Sequence, residues 1–140
     1  MSTDALYGEA LKALAEASRG QGRLARADAT ATVDNPLCGD RVTLDVALEG
    51  GRIVAIGHAV RGCLLCEAAA AVVAAEAPGA TRAAVAAWPE RTKAFLKSPD
   101  GAAPLAALEP FAPARRFRSR HRCVTLAFEA LAKALGEQSA

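Results

Sequence analysis

Between Arg41 and Val60 the chain alternates, turns on two glycines, and alternates again. Val42, Leu44, Val46 and Leu48 fall on one side of the first run, and Arg41, Thr43, Asp45 and Ala47 on the other. A side-chain period of two belongs to a strand with one face against a core. Glu49-Gly50-Gly51 interrupts the pattern and Arg52–Val60 resumes it. Alternation, a glycine turn and alternation again predict a β-hairpin. A hairpin alone is at best marginally stable in water, so its apolar face needs a cover.

The rest of the chain offers that cover. Asp4–Ala17 sets Leu6, Tyr7, Ala10, Leu11 and Leu14 on one helical face, and "RGQGR" breaks the run. Ala27–Val33 alternates small and β-branched residues and reads as a weaker strand. After Gly62 the pattern turns helical. "CLLCEAAAAVVAAEA" runs to Pro78-Gly79, "TRAAVAAWPERTKAFLK" gives one or two pieces interrupted at Pro89, and three prolines break "AAPLAALEPFAPA". From about Arg120 to Leu135, Cys123, Leu126, Ala127, Ala130, Leu131, Ala134 and Leu135 form a helical stripe that Gly136 is expected to end. The order predicts an α+β domain: a small antiparallel sheet of about three strands, with an N-terminal helix and several C-terminal helices packed on one face. With 140 residues and no internal repeat, one domain over 1–140 is expected. Heavy use of alanine, with only 4% aromatics, favours close-packed helices over an aromatic-lined pocket.

Several function classes lose support. The formal net charge is +2, so whole-chain charge gives no reason to expect nucleic acid. The first residues lack the basic and apolar regions of a signal peptide, and the longest apolar run, Ala68–Ala75, is far too short to span a membrane. A cytoplasmic protein without membrane partners is expected, with its thiols reduced. Paired carboxylates, a Ser-His-Asp set and a phosphate-cradling glycine loop are all lacking. Conventional acid–base and phosphoryl chemistry therefore have no candidate residues.

Four cysteines remain. Cys38 sits in "NPLCGD" after a proline turn, with Asp40 across a glycine. Gly39 lets the backbone turn so that both side chains can point to one centre. Cys63 opens a helix, whose N-terminus favours thiolate. Cys123 lies in the first turn of the final helix behind "RRFRSRHR", where five arginines are expected to lower its pKa. Three thiolates and a carboxylate suit a tetrahedral zinc site or one edge of an iron–sulfur cluster. The competing readings are isolated buried cysteines and, for Cys63-x-x-Cys66, a thiol–disulfide redox pair. His58 reads as a surface or edge histidine, His121 as a solvated first-turn residue, and Trp88 and Phe95 as core.

"NPLCGD", "GC" at Gly62-Cys63 and "RCVTLAFEAL" near the end, with "LYGEALK" and "GRLARADATATVDNP", resemble the NifU-like iron–sulfur assembly scaffolds, the IscU and SufU proteins. The resemblance spans essentially the whole chain. Sixty positions separate Cys63 from Cys123, an interval longer than in IscU proteins. Trp88–Pro113 looks like the SufU insertion. Arg122 stands before the last Cys, where IscU proteins have His, so the SufU branch is the nearer. The resemblance implies Cys38, Asp40, Cys63 and Cys123 as ligands of zinc, iron or a [2Fe–2S] cluster. It implies a cysteine desulfurase as sulfur donor, with Cys38 or Cys123 as persulfide acceptor, and recipient apoproteins or downstream SUF or ISC components. Arg122 is expected to activate a thiolate or contact a partner. It leaves open a cluster scaffold or a zinc-dependent sulfurtransferase. Two departures stand out. The usual His-x-x-x-Pro segment is missing, and Cys66 stands where SufU proteins usually have Ser. Cys66 is thus a possible extra ligand, a persulfide relay or a buried small residue.

Overall fold

The computed structural model describes residues 3–36 and 39–137, with only the backbone for 3–7 and 137. Cys38 lies outside the described residues, as do the side chains of Leu6 and Tyr7. Three antiparallel strands, β1 (Ala29–Asn35), β2 (Asp40–Glu49) and β3 (Arg52–Arg61), form a sheet in the order β1-β2-β3. Val42 pairs with both Val33 and Val60, and Leu44 with both Ala31 and His58, so each row shares one face. Gly50 and Gly51 turn the hairpin at positive φ.

Helices cover that face. α5 (His121–Glu137) lies across β1 and β2, α2 (Leu64–Glu76) packs on β3, and α1 (Thr3–Arg19) packs on α2. All seven residues of the predicted α5 stripe are buried. Gly136 does not end the helix as expected, and α5 runs on to Glu137. α2 is buried on almost every side from Leu65 to Val73 except at Glu67. Its run of alanines lets α1, α5 and β3 approach closely, where larger side chains would hold them apart. α1 carries one break in the predicted helix. Gly8 adopts φ +64, a left-handed conformation that glycine alone reaches at little cost.

α3 (Arg82–Ala86) and α4 (Trp88–Lys97) meet at Ala87, so Pro89 lies in the first turn of α4 rather than interrupting it. The proline-rich stretch winds as a 3-10 helix over Ala106–Arg116. Trp88 and Phe95 are buried, as expected, and Trp88 meets Phe128 of α5 edge to face at 6.2 Å. Arg115 holds this outer layer. Its guanidinium donates to the carbonyls of Phe95 and Gly101 and lies 4.2 Å from the Phe95 ring centre.

Of the surface-or-edge reading of His58, the edge position holds and the surface one fails. The residue is on an edge strand, yet only 3% exposed. The segment after α1 runs along β3, where His58 N donates to Gly22 O and the ring meets Gln21 Oε1 at 3.0 Å. Burial lowers its pKa. On the opposite face Asp45 is 1% exposed and takes bonds from Arg23, Thr30 and the Leu24 amide. The same segment packs so closely on Gly57 that a Cβ there would come within 2.5 Å of Leu24 N.

Candidate metal centre

Three element boundaries meet at one end of the sheet. Asp40 is the first residue of β2, Cys63 caps the N-terminus of α2, and Cys123 lies in the first turn of α5. The turn before Asp40 closes by a bond from Gly39 N to Asn35 O, with Gly39 at φ +74. This is the backbone turn that "CGD" predicts. Gly62 has a role the spacing did not suggest. A Cβ at residue 62 would sit 2.8 Å from Asp40 Oδ1, so glycine there makes room for the carboxylate. The signal was a glycine directly before a cysteine at a strand-to-helix junction.

Asp40, Cys63, Cys66 and Cys123 each place a donor atom within 4.8 Å of the others. Cys66 Sγ donates to Asp40 Oδ2 at 3.1 Å, and Cys123 Sγ to the same oxygen at 3.3 Å. Asp40, Cys66 and Cys123 are buried, and Cys63 is half-buried. Tetrahedral zinc with Zn–S of about 2.3 Å sets sulfur ligands about 3.8 Å apart. A group of three thiols and a carboxylate confined to 4.8 Å therefore fits a small tetrahedral cation, or the edge of a cluster, in both spacing and donor chemistry.

Without a metal these thiols cannot all ionise, because each anion raises the cost of the next. Cys63 carries the charge. The neighbouring thiols of Cys123 and then Cys66 push its pKa far down, and the Cys66 and Leu65 amides at the start of α2 add to this. Cys66 and Cys123 are pushed up, Cys66 chiefly by its bond with Cys123 and Cys123 chiefly by its bond with Cys63. The expectation that the arginine run lowers the pKa of Cys123 thus fails in the metal-free chain.

A cavity of about 410 Å³ opens on the group, lined by Asp40, Cys63, Ser119, Arg120 and Cys123. Cys66 does not line it and is 1% exposed, at the closed side of the cluster. Of the arginines, Arg120 faces this cavity. Arg122 meets Glu129 at 3.4 Å and lines a different cavity of about 640 Å³, with Lys93, Lys97, Arg118 and His121. His121 bonds the Arg115 carbonyl and is not among the clustered donors.

The family model for the NifU-like N-terminal domain matches residues 7–97. The chain belongs to that family. The match stops before Cys123, but a NifU-like relative in structure covers the rest. The crystal structure of a nitrogen-fixing NifU-like protein (N-terminal) from Brucella abortus superposes with a TM-score of 0.87 at 32% identity, over 98% of both chains. A SUF-system protein from the thermophile Fervidobacterium islandicum AW-1, described as an iron–sulfur cluster assembly scaffold, shares the fold. Its TM-score is 0.83 at 21% identity, over 96% of this chain and 99% of that one. No curated protein matches the chain. In this NifU-like domain, no described helix is long and apolar enough to cross a membrane.

Proposed function

We propose that this NifU-like domain is a sulfur and metal carrier in iron–sulfur cluster assembly. The observation that carries the reading is the group of Asp40, Cys63, Cys66 and Cys123 within 4.8 Å, beside a cavity that reaches Cys63 and Cys123. Donors 83 residues apart in the chain come together there, and a buried carboxylate among thiols is a group that a bound cation would pair.

In this reading a cysteine desulfurase of the same cytoplasm presents a persulfide. An acceptor thiolate of the chain attacks its terminal sulfur. A new S–S bond forms on the acceptor, the donor's S–S bond breaks, and the donor cysteine leaves as thiolate, with no net oxidation. Cys38 is the acceptor this reading favours over Cys123. Cys123 is 2% exposed and its pKa is raised, whereas Pro36 and Gly39, which flank the Cys38 turn, are exposed. A bound metal or nascent cluster would be held by Asp40, Cys63 and Cys123 with a further thiolate, which the family resemblance takes as Cys38. It would organise the thiolates and serve as cargo or precursor for recipient apoproteins. Asp40, a hard oxygen among soft sulfurs, keeps that hold weak enough to release. Arg120, which lines this cavity, and the lysines and arginines that line the larger one supply positive potential for an acidic donor surface.

A second reading is a zinc-dependent sulfurtransferase without a scaffold role. The long Cys63–Cys123 interval and Arg122 before the last Cys favour it. Elemental analysis of freshly purified, anaerobic protein separates the two. Zinc near one per chain supports sulfur transfer, and iron with matching acid-labile sulfide supports the scaffold. Label transfer from a persulfidated desulfurase tests the acceptor. Cys38→Ala is expected to take up none, and uptake equal to wild type would remove Cys38 from that role.

A further inference from the structure

Among the described residues the site holds four donors, the number a tetrahedral metal needs. Family resemblance points to Cys38, Asp40, Cys63 and Cys123, but the folded chain brings Cys66 into the same group. We infer that Cys66 is a resident metal ligand, and that Asp40, Cys63, Cys66 and Cys123 hold a tetrahedral divalent cation without Cys38.

Position and chemistry both point this way. Cys66 lies one helical turn beyond Cys63 on α2, so both sulfurs face the same end of the sheet. Its sulfur is 3.1 Å from Asp40 Oδ2, closer than that of Cys123. It is buried at the closed side of the cluster, away from the cavity. A thiol there is shielded from an incoming persulfide yet within reach of a metal. Three thiolates and one carboxylate already complete a tetrahedral shell. Cys38 is then released from coordination and free to carry sulfur while the metal stays in place. Where a site has only four donors, one of them must leave the metal to accept sulfur. Here Cys66 fills the fourth place, which removes that conflict. This inference rests on the metal-binding half of the proposed function and deepens it.

The test is an anaerobic zinc titration of the full chain, stripped of metal, against a chromophoric chelator. Cys38→Ala is expected to bind zinc within about threefold of wild type. Cys66→Ser is expected to lose roughly 100-fold or more, beyond the cost of losing an outer partner of a ligand. The reverse pattern would overturn the inference. Cys66 is buried, so two further readouts guard against a folding artefact. Cobalt loaded into Cys38→Ala should keep the thiolate charge-transfer intensity of wild type, and a drop by one thiolate's share would count against the inference. In wild type, alkylation of Cys38 followed by mass spectrometry should be as fast with zinc bound as without, whereas strong protection by zinc would make Cys38 a ligand and overturn it. A wild-type chain that binds no zinc, cobalt or iron would defeat the metal reading as a whole. Zinc binding with the reverse mutant pattern would defeat only the role of Cys66, and label transfer to Cys38 is judged separately from both.

Discussion

One oxygen of Asp40 accepts from two thiols, Cys66 at 3.1 Å and Cys123 at 3.3 Å. That shared acceptor ties the first residue of the central strand to the starts of two helices. It makes Asp40 a hinge of the site's geometry as well as a candidate ligand.

The space around Asp40 is the first thing to test. Gly62→Ala places a methyl 2.8 Å from Asp40 Oδ1, too close for both to stay where they are, so the carboxylate or the backbone at residue 62 must shift. We expect the variant to lose about 1–3 kcal/mol of stability, the usual cost of overpacking. We also expect zinc affinity to fall by tenfold or more, on the scale of losing a ligand's support. Urea melts and a competitive zinc titration check the two effects. Wild-type affinity with normal stability would show that Asp40 does not depend on this close fit.

Thiol reactivity in the metal-free chain should separate the cysteines. Cys63 holds the thiolate, its pKa depressed chiefly by the bond from Cys123. Its alkylation rate should therefore change little from roughly pH 6 to pH 8, while an ordinary thiol gains nearly in proportion to its ionised fraction. Cys66 and Cys123, with raised pKa values, should remain slow across that range. Mass-resolved alkylation kinetics give all three rates in one experiment. A steep rise with pH at Cys63 would contradict the assignment of the charge.

Arg122 should not tune the site. Its guanidinium meets Glu129 at 3.4 Å in a partly exposed pair and lines the basic cavity rather than the thiol cavity. Pairs of this kind contribute about 0–1 kcal/mol. Arg122→Ala is expected to leave stability within about 0.5 kcal/mol and the Cys63 alkylation rate within twofold. Arg120→Ala, which removes the guanidinium lining the thiol cavity, is expected to slow sulfur uptake. If Arg122→Ala lowered Cys63 reactivity as well, thiolate activation by Arg122 would regain its place.

Away from the site, Asp45 should set the acid limit of the fold. Its pKa is lowered, chiefly by the bond from Arg23, with help from Thr30 and the Leu24 amide. A depressed carboxylate contributes stability that is complete above its unfolded pKa, near 3.9. That stability is lost as pH falls through the lower folded value. Asp45→Asn should cost about 2 kcal/mol at neutral pH, the scale of hydrogen bonds to a charged group. The gap between variant and wild type should then narrow as pH drops below about 4. Denaturant melts at neutral and acid pH show whether it does.

Much of this architecture is local, and local patterns are legible in one dimension. The period-two runs gave β2 and β3 nearly to the residue, and every member of the α5 stripe is buried because a helix repeats its face without help from elsewhere. Gly39 and the boundary positions of Asp40, Cys63 and Cys123 were readable for the same reason. Gly8 shows the limit of such patterns, since one left-handed residue breaks a helix without changing its apolar period.

Convergence across the chain was a different matter. Nothing in the spacing says that Cys66 and Cys123 share an oxygen of Asp40, or that Gly62 clears the space for it. Nor does it say that the segment around Gly22 covers His58, or that Arg122 turns from the thiols toward Glu129. Those outcomes depend on how α2 and α5 seat on the sheet, and packing of distant surfaces has no period to read. By itself the sequence determined the elements and the kinds of donor at their ends. The tertiary structure decided which donors meet, because only close packing brings groups 83 positions apart to within 3.3 Å of each other.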